Sequence, residues 1–406
     1  MTNTPYTEPP AQAPEQQRRH LLLLVVIFYF IFAGAGAQQL YLVSYLQQVT
    51  PWGPLSCVVL LAAVYATMMV FRVGNVYLLQ SWPDWKWTAV GAVTYFLFPA
   101  GMFVVAYLPS YGLALGFAVL WGWGAAALWG GTTMQILALT EGRKDRYGTG
   151  MGLLYAGTHA GWLSGVIVLG LIFARYNTHP QLTYLAAAII TLVALLLAFG
   201  LPRSTEATIA PPTRAKLRQI IAQPKAIISM LLLGSSAVAF GLMLSTFADY
   251  VKAEYGAEYV WVSGMFYPAV IIGLSFVSGW LSDLGGRAPV LSVSFLLAAV
   301  GCALAVLWRS PIALALAATL WGLLNSAVPV ISAALVGDSA ERRRRPLAYG
   351  VVFSGRDLGA IVGLVGSRLA AGNGTNLDTS FIVFGILFAL CAGVAALLQR
   401  YAKQRF

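Results

Sequence analysis

RYGTGMGLLYAGTHAGWLSG (146–165) and RRPLAYGVVFSGRDLGAIVG (344–363) fall on one another when the chain is shifted by 198 residues. Arg146 meets Arg344, Gly152 meets Gly350, Gly157 meets Gly355, Gly161 meets Gly359 and Gly165 meets Gly363. Earlier in each half, Gly36 and Tyr45 keep the spacing of Gly241 and Tyr250. Five identities at one offset point to an internal repeat. Both stretches are apolar and long enough for helices, so the expected architecture is two halves of the same hand. In a membrane such halves are related by a pseudo-two-fold axis along the bilayer normal, with a site between them near the midplane.

Composition supports the membrane setting. Of 406 residues, 59% are hydrophobic and only 10% charged, against about a quarter charged in a soluble domain. Apolar runs recur from Leu21 onward, and each must be a helix because lipid cannot satisfy an open backbone. Twelve segments are expected: 21–46, 54–71, 87–107, 112–139, 149–174, 182–201, 226–250, 259–281, 288–307, 312–335, 347–370 and 379–399. The fold class is therefore all-α, with twelve transmembrane helices in two pseudo-symmetric six-helix halves. The domain plan is a disordered tail (1–20), a first half (21–201), a linker (202–225), a second half (226–399) and a short tail (400–406). Cys57, Cys302 and Cys391 sit apart inside apolar runs, with neither a disulfide framework nor zinc spacing.

A net charge of +11 reads as topology. With the N-terminus inside, twenty of the Lys and Arg residues fall on the inner side, Arg72 among them, and four outside. Arg356 alone is left within the membrane. The bias places both termini in the cytoplasm of a cell whose inner membrane holds the protein, and excludes a nucleic-acid partner. The linker's RAKLRQII (214–221) suits a short basic helix lying on anionic lipid.

GWLSDLGGRAPV (279–290) resembles the cytoplasmic loop signature of the major facilitator superfamily (MFS), through Gly279, Leu281, Ser282, Asp283, Gly286 and Arg287. The resemblance implies an alternating-access transporter. By the physics of the motif, Asp283 would cap the positive end of a helix across the half interface and Arg287 would clamp it, a conformational latch. The first half, RVGNVYLLQSWPDWKW (72–87), has no such motif. Gly148, Gly157, Gly161 and Gly165 also keep the glycine spacing of the family's drug-antiporter signature, although Trp162 stands in place of its proline and Val166 in place of its last glycine. That partial match leans toward efflux. The interface glycines Gly157, Gly161, Gly165, Gly355, Gly359 and Gly363 are expected either to pack helices statically or to form a flat surface on which the halves rock.

Arg356 and Asp357 lie about mid-membrane, where charge is expensive and usually functional. Neighbours on a helix point about 100° apart, so the two cannot face one cavity. Neither has an opposite charge one turn away. Arg356 reads as an anchor for an anionic substrate or as a structural pin. Asp357 reads as a proton carrier or as a permanent ion-pair partner, and His159, its repeat equivalent, as the second proton-coupling candidate. The resemblance implies a central cavity lined by the first, fourth, seventh and tenth segments. Those segments offer Gln38, Gln39, Tyr41, Trp121, Trp123, Trp129 and Asn325 as substrate-binding groups.

No phosphate loop and no catalytic spacing is present, so neither an enzyme nor a cofactor or metal site is expected. The reading is a secondary active transporter of a small organic solute, coupled to protons and leaning to efflux. Its alternatives are a proton-coupled importer of an organic anion held by Arg356, and a non-transporting receptor or assembly factor that kept the fold. The expected partners are the small-molecule substrate, protons and membrane lipids, with the chain a monomer.

Overall fold

The structure is a computed structural model that describes residues 14–140, 146–176, 178–203, 214–245, 247–256, 259, 261–371 and 377–401. The expected N-terminal tail as far as residue 13, residues 204–213 of the linker and the tail from 402 lie outside the described residues. Among those described there is no strand, and twelve helices are long and apolar enough to span a membrane. We number them α1 (Glu15–Leu40), α2 (Pro54–Leu78), α3 (Asp84–Val105), α4 (Tyr111–Leu139), α5 (Tyr147–Arg175), α6 (Gln181–Ala198), α7 (Pro224–Leu244), α8 (Met265–Gly285), α9 (Arg287–Leu307), α10 (Pro311–Ser339), α11 (Arg342–Leu369) and α12 (Asp378–Arg400). Large apolar side chains such as Leu171, Leu196, Leu231, Leu307 and Leu390 stand exposed on the outer faces. A soluble protein keeps such surface small, whereas lipid accepts it. The basic linker segment forms the expected short helix, Arg214–Ile221.

Two helices depart from regular geometry. The first expected segment (21–46) does not run unbroken: α1 passes through a π turn at Phe32–Gly36 and a 3-10 turn at Ala37–Leu40 before a separate helix, Leu42–Val49. Thr191 on α6 supports the opened turn by accepting a hydrogen bond from the Ala35 amide at 3.0 Å. α11 carries a second π turn at Val362–Gly366. Such turns re-aim side chains and concentrate at functional sites.

The repeat is visible in the packing. Gly157, Gly161 and Gly165 lie against Val25, Tyr29 and Ala33 of α1, and their equivalents Gly355, Gly359 and Gly363 lie against Met230, Gly234 and Val238 of α7. Both stripes thus pack helices inside their own half. The sliding surface between halves is corrected accordingly: the glycines on the seams are Gly148 and Gly152 against α8, Gly279 against α5, and Gly350 against the Arg72 carbonyl of α2. The halves meet along two seams, α5 with α8 and α2 with α11. At the end where α5 and α11 begin, Arg345 donates to the Tyr147 hydroxyl at 3.0 Å. These residues are 198 apart, so they are repeat equivalents in contact, which puts them on the pseudo-two-fold axis.

One boundary matters for the site. α2 runs to Leu78 rather than stopping at 71, so Arg72 is not on the cytoplasmic surface. It is a buried residue of the span, and Arg356 is not the lone cation of the membrane interior. With Arg72 inside the span, the expected count of basic residues by side becomes nineteen against four.

Close helix approach makes a prediction. A Cβ on Gly161 would strike the Tyr29 backbone, and one on Gly359 the Gly234 backbone. Gly161→Leu and Gly359→Leu are each expected to destabilise by about 1–3 kcal/mol or more. Gly393→Leu, which meets open space, is expected to leave the thermal midpoint in detergent unchanged. Equal midpoints for all three variants would contradict the packing.

Candidate functional site

Asp357 is fully buried on α11 and faces α2. Arg72 holds it with two hydrogen bonds, one from Nε to Oδ2 and one from Nη2 to Oδ1 at 3.1 Å. The third donor, Nη1, reaches the Tyr349 hydroxyl at 3.3 Å. Above the guanidinium lie the rings of Tyr349 and Phe353, 5.6 and 5.3 Å from its centre. A planar fork on a carboxylate, roofed by aromatic faces, is the arrangement in which arginine tolerates burial. Geometry explains its depth. Arg72 is six residues from the end of α2, about 9 Å along the axis. Its side chain leans toward the start of α2 and so toward the membrane centre. Gly350 lets the two backbones close enough for the reach.

Arg356, one residue earlier on α11, points elsewhere. It borders a cavity with Phe32 and Gln39 of α1, Val64, Tyr65 and Met68 of α2, Tyr95 of α3, Trp121, Ala125 and Trp129 of α4, and Phe240 of α7. The cavity volume is about 40 Å³, room for roughly three waters and well below a ligand-sized pocket. Arg356 is the only charged group among the described lining residues. Its guanidinium sits 5.3 Å over the Phe240 ring and 3.6 Å from Asp357 Oδ1. Asp357 thus lies between two arginines, and the three charges sum to one positive charge, presented to the cavity by Arg356. Opposite, Tyr65 donates to Gln39 Oε1 at 2.8 Å, and Gln39 Nε2 donates to the carbonyl of Gly36, the last residue of the π turn, at 3.0 Å.

Of the expected substrate-binding residues, Arg356, Gln39, Trp121 and Trp129 line the cavity, and the other four do not. Gln38 turns back onto the Ala35 carbonyl at 3.0 Å, and Tyr41 donates to the Val166 carbonyl at 2.6 Å. Asn325 donates to the carbonyls of Ser236 and Trp321 at 3.3 and 3.2 Å. Trp123 is partly buried away from the space that Trp121 and Trp129 border. The lining also departs from the expected segments: α2, α3 and α11 contribute, and α10 does not. His159 bonds the Tyr155 carbonyl at 2.8 Å and packs 6.0 Å from the Trp162 ring. Sequence reasoning missed Tyr65, Tyr95, Phe240 and above all Arg72. The signal for Arg72 was present: α2 is unbroken by any turn residue through Val73, so the span had no reason to stop at 71.

The second seam carries a different device at the bundle end. Asp283, at the end of α8, accepts from the Gly148 amide at 3.1 Å, the Thr149 amide at 2.8 Å and the Thr149 hydroxyl at 2.7 Å. An anion there meets the positive end of α5, which belongs to the other half. Gly286, at φ +89°, makes the turn that a residue with a side chain would resist. It returns Arg287 onto Asp283 and onto Ser282 at 2.7 Å, while Arg287 Nε reaches Asp338 at 3.0 Å. Gly279 abuts the Gly148 carbonyl and leaves no room for a larger residue.

A buried pair behaves asymmetrically under mutation, because removing one partner strands the other charge. Arg72→Met is expected to destabilise, by less than the about 3–5 kcal/mol of a fully stranded charge, because Arg356 stands 3.6 Å from Asp357. Arg72→Met combined with Asp357→Leu is expected to recover most of it. Thermal unfolding in detergent would show this as a non-additive pair, and additive losses would contradict the pairing.

The sequence model of the Major Facilitator Superfamily matches residues 109–284 and 231–405. No curated protein matches the chain. Among solved structures, the chain is similar to the human organic anion transporter MFSD10 (TETRAN), with a TM-score of 0.72 at 12% identity over 96% of this chain and 100% of that one. It is similar to the MFS transporter FucP in its outward conformation, with a TM-score of 0.68 at 16% identity over 95% and 98%. A bacterial homologue of the iron transporter ferroportin, outward-facing with soaked iron, gives 0.68 at 13% identity over 95% and 99%. At these identities the structural likeness speaks for the fold. With the family match spanning most of the chain, and with twelve spans in two repeated halves, the protein belongs to the Major Facilitator Superfamily and is a multi-pass membrane transporter.

Proposed function

We propose that the protein is a secondary active transporter of a small organic anion with an aromatic or apolar body, carried by alternating access and coupled to protons through Asp357. The observation that carries this reading is the division of labour between neighbours on α11. Asp357 is engaged by Arg72, which leaves Arg356 as the one charged group of an otherwise neutral, aromatic cavity. A guanidinium in that setting favours a carboxylate, and the rings of Tyr95, Trp121 and Trp129 favour a flat apolar body beside it. Burial of a second substrate charge would meet no counter-charge, so monoanions are expected over dianions. The similar fold of MFSD10, an organic anion transporter, agrees with this reading at the level of fold.

Two further elements support the mechanism. Asp283 and Arg287 tie the halves at the end where α5 and α11 begin, and the charge bias supports a cytoplasmic placement of that end. Breaking the Asp283 contacts would let that end open. The glycine spacing that leans to efflux serves packing of α5 on α1, so it supports helix approach rather than a direction. His159 is engaged with a backbone carbonyl on its own helix, which leaves Asp357 as the better coupling group.

Arg356→Gln is expected to lower uptake of monocarboxylates into liposomes containing the purified protein by about 10- to 100-fold, the loss of one charged hydrogen-bonding pair of about 1.5–3 kcal/mol. Uptake of neutral aromatic compounds of the same size is expected to change less. Equal losses for anions and neutral compounds would make Arg356 a structural pin and overturn the substrate class.

A further inference from the structure

The Arg72–Asp357 pair crosses from one half to the other, whereas Asp357 and Arg356 travel together on α11. That difference has a consequence for affinity. Among the described residues, contacts between the halves include Asp283 on the start of α5, Gly350 on α2 and Arg345 on Tyr147 at that end, with Arg72 on Asp357 deeper on the α2–α11 seam. Opening that end parts α2 from α11 and takes Arg72 away from Asp357. The carboxylate already lies 3.6 Å from Arg356 Nη1, and a buried charge that loses its partner takes the nearest one.

We infer that Arg72 is a positioning residue for anion binding: it draws Asp357 off Arg356 while the α2–α11 seam is closed, and when the seam opens Asp357 closes on Arg356 and expels the anion unless Asp357 carries a proton. Resting on the anion-transport reading above, this converts the movement of the halves into a change of cavity charge. With the seam closed, Arg356 offers its full charge to a carboxylate. With the seam open and Asp357 ionised, the α11 pair is neutral and the anion leaves. With the seam open and Asp357 protonated, Arg356 keeps the anion, so anion and proton occupy the open state together. The charged and titratable groups around Asp357 are Arg72 and Tyr65 from α2, Tyr95 from α3, Tyr155 from α5, and Tyr349 and Arg356 from α11 itself. Among them Asp357 is the only carboxyl. The loop between α2 and α3 lacks the sequence motif that carries Asp283 and Arg287, and the buried pair ties the α2–α11 seam.

The test uses the full-length protein in lipid nanodiscs, with benzoate and hexanoate as probes, read by ligand-induced thermal stabilisation and equilibrium binding. Arg72→Gln, although Arg72 does not border the cavity, is expected to weaken benzoate binding at least tenfold, and adding Asp357→Asn is expected to restore it. Asp283→Asn, which loosens the latch far from the cavity, is expected to weaken binding in the wild-type background and to have no effect in the Asp357→Asn background. This second cycle stands even where Arg72→Gln fails to fold. Unchanged binding in Arg72→Gln, or a latch effect that persists in Asp357→Asn, would overturn the switch. Failure of both probes to bind wild type and Asp357→Asn alike would instead overturn the anion reading beneath it.

Discussion

A carboxylate buried among apolar helices must be answered by a positive charge, and here the answer comes from the opposite half of the molecule. Asp357 on α11 is held by Arg72 on α2, under the rings of Tyr349 and Phe353. Much of the site follows from that one pairing. It joins the halves inside the membrane, it calls for the close approach that Gly350 permits, and it decides which way Arg356 faces. Without Arg72, the two neighbouring charges of α11 would simply neutralise one another, and the cavity would hold no net charge.

The two seams solve the same problem in different solvents. At the α5–α8 seam the tie lies at the bundle end, where a carboxylate on helix-terminal amides can be released without leaving a charge in lipid. At the α2–α11 seam the tie is buried, so breaking it is expensive unless another partner is ready. In the proposed switch Arg356, 3.6 Å away on the same helix, is that partner, and a proton is the other. The repeat makes the asymmetry visible. Asp357 corresponds to His159, which satisfies itself on the Tyr155 carbonyl, so one seam is ionic at mid-depth and the other neutral.

The fold was readable because membrane helices announce themselves by length and apolarity, and because the glycine stripes repeat at one offset. The contacts of Asp283 and Arg287 were readable for a related reason: the two sit in a short motif whose contacts are local or made to a helix end. The cavity was less so. Arg356, Gln39, Trp121 and Trp129 border it, but Gln38, Tyr41 and Asn325 were not distinguishable from them, since a buried amide or hydroxyl in sequence gives no sign of which carbonyl it meets. Their partners, at Ala35, Val166 and Ser236, depend on helix rotation and on the π turn of α1. Arg72 was lost to a span drawn seven residues short, and with it the partner of Asp357. The glycine stripes were correctly found and partly misplaced, because a stripe shows that a helix packs closely without saying which helix it meets.

The most direct test of the account is the pH inside liposomes containing the purified protein while a monocarboxylate such as benzoate is added outside under an imposed proton gradient. Stepwise use of a membrane-permeant acid is avoided by working well above its pKa and subtracting protein-free vesicles. The account predicts protein-dependent proton entry that accompanies anion entry and disappears in Asp357→Asn, while anion exchange across the vesicle persists. Anion entry without proton movement in the wild-type protein, or proton movement undiminished in Asp357→Asn, would contradict it.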